Sequence, residues 1–133
     1  MIKKIVVTLL LCSAALMLFV ACGGVPNDST GNTSTSGSSN EVHMSAQTFV
    51  QSSITISKGS SIALVDDVGV PHHIANGTWD NNNVKPVKET NAPSVNVQLN
   101  GNDQQTIGPF ATAGTYHLYC TIHPGMNLTV IVQ

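Results

Sequence analysis

The sequence contains no arginine, and it is poor in charge and in aromatic residues. Charged residues make up 9% of the 133 residues and aromatic residues 5%. Because the arginine guanidinium is the side chain best suited to phosphates and base edges, its absence argues against nucleic-acid binding. The chain also has no Gly-rich phosphate loop before a helix and no evident Ser-His-Asp set. We therefore expect a protein that neither binds nucleic acid nor works as a phosphate-loop or Ser-His-Asp enzyme.

Cysteine is scarce as well. Of the three cysteines, Cys12 lies in an apolar N-terminal run, Cys22 follows that run, and Cys120 is alone in the remainder. The part of the chain that folds therefore cannot form an internal disulfide. A free thiol outside the cytoplasm would be a chemical liability unless it is bound to something. Binding a metal ion is the simplest explanation.

Residues 1–21 have the pattern of an export signal. Two lysines precede an uncharged run of 16 residues from Ile5 to Val20, which is shorter than the roughly 20 residues of a membrane span. The small residues before Cys22 resemble a bacterial lipoprotein signal, although Phe19 stands where an aliphatic residue is usual. That resemblance implies that Cys22 is lipidated and becomes the mature N-terminus. An uncleaved anchor and an ordinary secretory peptide are the alternatives, and all three export the domain.

A linker follows over residues 22–40. Fifteen of the 18 residues after Cys22 are Gly, Ser, Thr or Asn, which cannot bury a core. The linker should span roughly 20–25 Å, so a tethered domain could reach along the extracytoplasmic face of the cell membrane. The folded domain is predicted at 41–133. After signal removal, three lysines face seven acids, a net charge of −4.

The domain is predicted to be all-β, because no helical period occurs in it. Short alternating or apolar runs are separated by turn signals such as Asn100-Gly101 and Ala113-Gly114. This pattern favours a two-sheet antiparallel sandwich. The Asn- and Lys-rich segment 77–93 is predicted to be a surface excursion whose Trp79 packs against the domain. The predicted strands are 54–56, 61–65, 95–100, 114–120 and 127–132.

One short stretch near the C-terminus combines three metal-ligand side chains. Cys120, His123 and Met126 follow one another at three-residue steps, and Pro124 and Gly125 favour a tight turn between the last two. A thiol, an imidazole and a thioether suit copper and suit magnesium or calcium poorly. With a second histidine they would form the trigonal His₂Cys site with a weak axial Met that is typical of blue-copper electron transfer.

His72 and His73 compete to be that second histidine. Neighbours on an extended segment face opposite ways, so His72 shares a side with the apolar Ile74. We therefore expect His72 to face inward and His73 outward. The same parity on the strand before Cys120 places Tyr116 and Leu118 inside and places His117 and Tyr119 outside, where neither is a ligand.

These motifs resemble the cupredoxins of the plastocyanin and amicyanin group. The matches are Pro71-His72 and the run from Tyr119 to Met126, whose short His-to-Met spacing is similar to that of amicyanin. The resemblance implies an eight-stranded Greek-key sandwich that binds one copper through His72, Cys120, His123 and Met126. The family usually has Asn after the first ligand histidine, where it ties the two ligand loops together. This chain has His73 there.

By this resemblance we expect a carrier of single electrons between redox proteins, not an enzyme. Partners would dock briefly around His123, which we expect to be ringed by Pro71, Ile122, Pro124 and Gly125 on a monomeric domain. Tyr119 is a candidate second exit for the electron. A copper-binding or copper-delivery lipoprotein without redox cycling is the alternative. A structural zinc site is disfavoured because such sites seldom use Met, and a multicopper oxidase because the chain has no paired His-x-His motifs.

Overall fold

The computed structural model describes residues 40–133, which contain ten strands and no helix. The predicted signal, Cys22 and nearly all of the predicted linker lie outside the described residues. None of the described elements is a helix long and apolar enough to cross a membrane. The strands are β1 Glu41–Met44, β2 Ser53–Ile56, β3 Ile62–Asp66, β4 His72–Asn76, β5 Thr78–Asp80, β6 Asn83–Lys85, β7 Asn96–Leu99, β8 Gln104–Ile107, β9 Gly114–Cys120 and β10 Asn127–Val132.

Eight of these strands form two sheets. One sheet has the order β1-β3-β8 and the other the order β2-β10-β9-β4-β7, while β5 and β6 form a separate hairpin. The predicted two-sheet sandwich is confirmed. Its pairing is mixed rather than wholly antiparallel, because β1 pairs with β3 and β2 with β10 in parallel. Strands that pair in parallel need a long connection between them, and no local turn signal announces such a pair.

Alternation along the strands places the core between the two sheets. In β10 the buried residues fall on every second position, as the sequence pattern predicts, and the exposed Ile131 falls on the other face. In β9 the alternate residues Tyr116, Leu118 and Cys120 are buried, and Tyr119 on the other face is buried as well. The core includes Val42, Met44, Ile62 and Leu64 from the smaller sheet and Ile74, Leu99, Leu118, Leu128 and Val130 from the larger one.

The predicted excursion 77–93 folds against the larger sheet. Gly77 begins it with a φ of 129°, and a Cβ at this position would clash with the carbonyl oxygen of Lys85. The amide of Gly77 donates to the carbonyl of His117 at 3.0 Å. Further along, Glu89 accepts hydrogen bonds from the backbone N–H and the Nδ1 of His117. These contacts anchor both ends of the excursion to β9.

Candidate metal centre

The loop after β9 is a hydrogen-bonded turn that returns Met126 to the end of the strand. The amide of Met126 donates to the carbonyl of His123 at 3.2 Å, and Gly125 has a φ of 79°. Pro and Gly between these residues match the central positions of a type II turn, whose third residue needs a positive φ. The amide of Cys120 then donates to the carbonyl of Met126 at 3.0 Å. Backbone geometry thus fixes all three candidate ligands of the loop relative to one another.

Strand pairing brings the second histidine to this loop. β4 lies beside β9, with Ile74 opposite Cys120 in the ladder. His72 is two residues from Ile74 and therefore points to the same side, into the sandwich, where it is fully buried. The expectation that His72 faces inward is confirmed, and His73 lies on the opposite face, half-buried.

Three donor atoms converge at this point. The Sγ of Cys120 lies 3.4 Å from the Nδ1 of His123 and 3.8 Å from the Nδ1 of His72. The two imidazole rings are 4.8 Å apart between centroids and tilted by 58°. The described residues contain this one cluster of three His, Cys or acidic groups with ligand atoms within 4.8 Å of one another.

This spacing fits a trigonal metal ion. If metal–nitrogen and metal–sulfur bonds are about 2.0 and 2.3 Å, as in zinc sites, nitrogen and sulfur donors in a trigonal plane lie about 3.7 Å apart. The two observed distances bracket this value. Met126 is buried with Cys120 in the same apolar cluster, so its thioether is the candidate fourth donor. A thiolate, two imidazoles and a thioether form the donor set that favours copper over harder cations.

Electrostatics keep His72 neutral and able to coordinate. Burial lowers the pKa of His72 below its ordinary value of 6.5, the carboxylate of Asp66 partly opposes this shift, and His123 adds a smaller lowering. A neutral imidazole offers its lone pair to a metal, whereas a protonated one cannot bind. The buried environment therefore favours metal binding over protonation at this position.

His73 ties the two ligand loops together. Its Nε2 lies 2.6 Å from the Oδ1 of Asn96, and its Nδ1 lies 2.8 Å from the Oγ1 of Thr121. Since an amide oxygen only accepts, the Nε2–H of His73 donates to Asn96 and the Thr121 hydroxyl donates to Nδ1. The amide of Thr121 also donates to the carbonyl of His73 at 2.8 Å. Three bonds thus join the strand of the first ligand, the loop of the others and β7.

Trp79 holds the backbone of Cys120 from the outer face of the sheet. Its indole N–H donates to the carbonyl of Cys120 at 2.7 Å. Its own amide and carbonyl are bonded to the side chain of Asn127, at 2.8 and 3.0 Å. Its ring meets that of Tyr119 edge-on, with centroids 6.1 Å apart. The predicted packing of Trp79 against the domain is confirmed, but sequence reasoning missed its bond to the Cys120 carbonyl.

A sequence model of the family described as copper-binding proteins of the plastocyanin/azurin family matches residues 36–133. The chain belongs to this family. It is similar to plastocyanin of Ulva prolifera, with 34% identity over 87 residues that cover 64% of this chain and 86% of the relative. It is also similar to plastocyanin of Scenedesmus fuscus, with 33% identity over 90 residues that cover 66% and 89%.

Solved structures show the same fold. Amicyanin from Paracoccus versutus superposes with a TM-score of 0.55 at 21% identity, over 73% of this chain and 83% of that one. A purple cupredoxin from Nitrosopumilus maritimus gives a TM-score of 0.53 at 22% identity, over 70% and 98%. The expected resemblance to the plastocyanin and amicyanin group is confirmed, and copper is the metal of this cupredoxin. The family match begins at residue 36 and β1 at Glu41, beside the predicted domain start at 41.

The remaining predicted positions in this cupredoxin divide into two groups. His117 lies away from the donor cluster, as expected, and so does His43. Each is partly exposed and paired with a carboxylate, Glu89 and Asp67 respectively. Tyr119 does point away from the core, but the expectation that it is exposed was wrong, because it is 5% exposed. Trp79 and Gly77 of the excursion cover it. A strand's alternation predicts which way a side chain points and not what lies over it.

Proposed function

We propose that this cupredoxin carries single electrons and binds one copper ion through His72, Cys120, His123 and Met126. The observation that carries the proposal is the preassembled donor set, in which two imidazole nitrogens lie 3.4 and 3.8 Å from one buried thiol. Copper supplies the one-electron couple. The chain supplies a thiolate, two neutral imidazoles and a weak thioether, which serve both Cu(I) and Cu(II) tolerably in one geometry.

The surroundings of the donors favour electron transfer because little in them can move. Cys120 is at the end of a strand that is paired on both sides, by β10 and by β4. Its backbone carbonyl is held by Trp79, and the loops are joined through His73. A site that keeps its geometry when the ion changes charge needs little reorganisation for each transfer.

His123 offers the route by which the electron enters and leaves. It is half-buried, whereas His72 and Cys120 are fully buried. Its sequence neighbours Ile122 and Pro124 are exposed, Ile122 to 47%, and so is Pro71, which precedes His72. A small apolar patch of this kind suits brief docking with a redox protein rather than tight association, because weak electron-transfer encounters have small interfaces.

A stopped-flow experiment tests the carrier function against copper delivery. The reduced, copper-loaded domain is mixed with an oxidised redox protein in the presence of excess Cu(I) chelator. A carrier passes its electron and retains its copper through repeated cycles. Transfer of copper to the chelator on the timescale of the cycle, with no electron passed, would instead support the delivery alternative.

A matched pair of variants tests the docking patch. Ile122→Lys should slow the second-order electron-transfer rate and leave the absorption spectrum unchanged. Ile131→Lys is the control, because Ile131 is a similarly exposed isoleucine on β10 that lies far along the strand from the site. Equal effects of the two substitutions would contradict docking at His123.

We further propose that the domain is tethered to the extracytoplasmic face of the membrane through lipidated Cys22. The support is the apolar run followed by small residues and a cysteine, and then a Gly-, Ser- and Thr-rich linker. Cys22→Ser should abolish incorporation of labelled fatty acid, while Cys12→Ser should leave it unchanged. Release of unlabelled wild-type protein into the medium would contradict the tether.

A further inference from the structure

Asp66 is an acid buried next to a copper ligand. Among residues 40–133, Asp66 and His72 are the two polar residues that are buried, at 2% and 0% exposure. Both side chains have zero relative accessibility, and the Nε2 of His72 lies 3.9 Å from the Oδ1 of Asp66. A carboxylate is almost never buried in this way unless it is paired.

The two groups also share an unmet need for hydrogen bonds. Within residues 40–133, neither the Nε2 of His72 nor the Oδ2 of Asp66 has a hydrogen bond of ordinary geometry; the backbone of Ser45 is the other acceptor near His72, and it raises the pKa of His72 less than Asp66 does. Leaving a buried donor and a buried acceptor unpaired is costly, and here each lies beside the group that could satisfy it. In metal sites a ligand histidine almost always gives its second N–H to a carboxylate, a backbone carbonyl or water.

Asp66 stands on a firm support. It is the last residue of β3, and its amide donates to the carbonyl of Asp103 at 2.9 Å. Its Oδ1 accepts the amide of Val68 at 3.2 Å, which shapes the loop that leads to His72. Both oxygens have further lone pairs, so this bond does not prevent another one to the imidazole.

We propose that Asp66 is a positioning residue of the copper site, whose carboxylate accepts the Nε2–H of His72. The bond turns Nδ1 toward Cys120 and fixes the tautomer that can bind copper. An approach of about 1 Å brings the pair to hydrogen-bond distance. The inference rests on the proposed role of His72 as a ligand.

The same carboxylate lowers the reduction potential. Oxidation removes one electron and transfers no proton, so the site gains one positive charge. A buried negative charge at the far side of a ligand imidazole stabilises that extra charge, because screening is weak in the interior. Asp66 therefore favours Cu(II) relative to Cu(I).

Asp66→Asn and Asp67→Asn form a matched test on the loaded domain. The two acids are neighbours, but Asp67 is exposed and paired with His43. Asp66→Asn keeps an oxygen for Val68 and removes the charge, so the ratio of Cu(I) to Cu(II) affinity should rise. We expect a rise of roughly tenfold, which is the lower end of the changes in metal affinity caused by losing a partner of a ligand histidine. That change corresponds to a potential about 59 mV higher. Asp67→Asn should change the ratio less than twofold, and equal responses of the two variants would overturn the proposal.

A second measurement needs no copper. Nitrogen-15 NMR of the metal-free domain should show His72 as the Nε2–H tautomer, with its ring proton exchanging slowly with solvent. In Asp66→Leu, which thermal unfolding must show to be folded, the tautomer should become mixed and exchange should quicken. An Nδ1–H tautomer in the wild-type domain would refute the role of Asp66. This result does not depend on whether the loaded domain is a blue-copper protein, so the two hypotheses can fail separately.

Discussion

The tie made by His73 can be measured by removing its ring. His73→Ala deletes the side-chain hydrogen bonds to Thr121 and Asn96 and leaves the backbone bond to Thr121 in place. A hydrogen bond contributes about 0.5–1.5 kcal/mol, and the Asn96 bond is at the exposed end of the ring, so we expect a loss of about 1–2 kcal/mol. For a domain of this size that lowers the melting temperature by roughly 4–16 °C.

Chemical and thermal unfolding of the copper-free domain would measure this loss, and a double-mutant cycle would assign it. His73→Ala, Thr121→Val and their combination should show a coupling of at least about 0.5 kcal/mol, as residues in one hydrogen-bond network do. His43→Ala is the control, because the side chain of that histidine makes only exposed ion pairs, with Asp67 and Glu41, and such pairs are worth about 0–1 kcal/mol each. A loss no larger than in the control, or zero coupling, would refute the tie.

Two further predictions concern the neighbours of Cys120. Trp79→Phe keeps a ring but loses the hydrogen bond to the Cys120 carbonyl, so the free energy of unfolding should fall by about 1 kcal/mol. Val87→Ala is the control in the same excursion. Because Val87 is exposed, this variant should stay within about 0.5 kcal/mol of wild type. In the metal-free domain the lowered pKa of His72 makes stability depend on pH. Below about pH 6.5 the unfolded chain binds a proton at His72 that the native state does not bind. Stability should therefore fall with acid by up to about 1.4 kcal/mol per pH unit until the native pKa is reached. The slope should be smaller in His72→Gln, and parallel slopes would contradict the burial argument.

The copper loop was predictable because its information is local. Cys120, His123 and Met126 lie within seven residues, and the turn between the last two depends on the Pro and Gly between them. His72 was predictable from one step of strand parity with Ile74. The strand 127–132 followed from alternation for the same reason, and 114–120 was a strand candidate beside the turn signal Ala113-Gly114.

Features that depend on distant contacts could not be predicted in this way. Asp66 directly follows the predicted strand 61–65, and its burial becomes visible only when β3 and β4 are placed together. Trp79 lies 41 residues from the carbonyl that it holds. The resemblance to cupredoxins indicated that His73 replaces a loop-tying Asn, but its partners Asn96 and Thr121 come from other parts of the chain.

The absorption spectrum of the Cu(II)-loaded domain tests the central claim most directly. If the thiolate of Cys120 bonds copper beside His72 and His123, the oxidised domain should show an intense visible charge-transfer band. Cys120→Ser should remove the band and leave the sandwich folded by circular dichroism. A colourless Cu(II) form of the unmutated domain, or a band that survives in Cys120→Ser, would contradict the account.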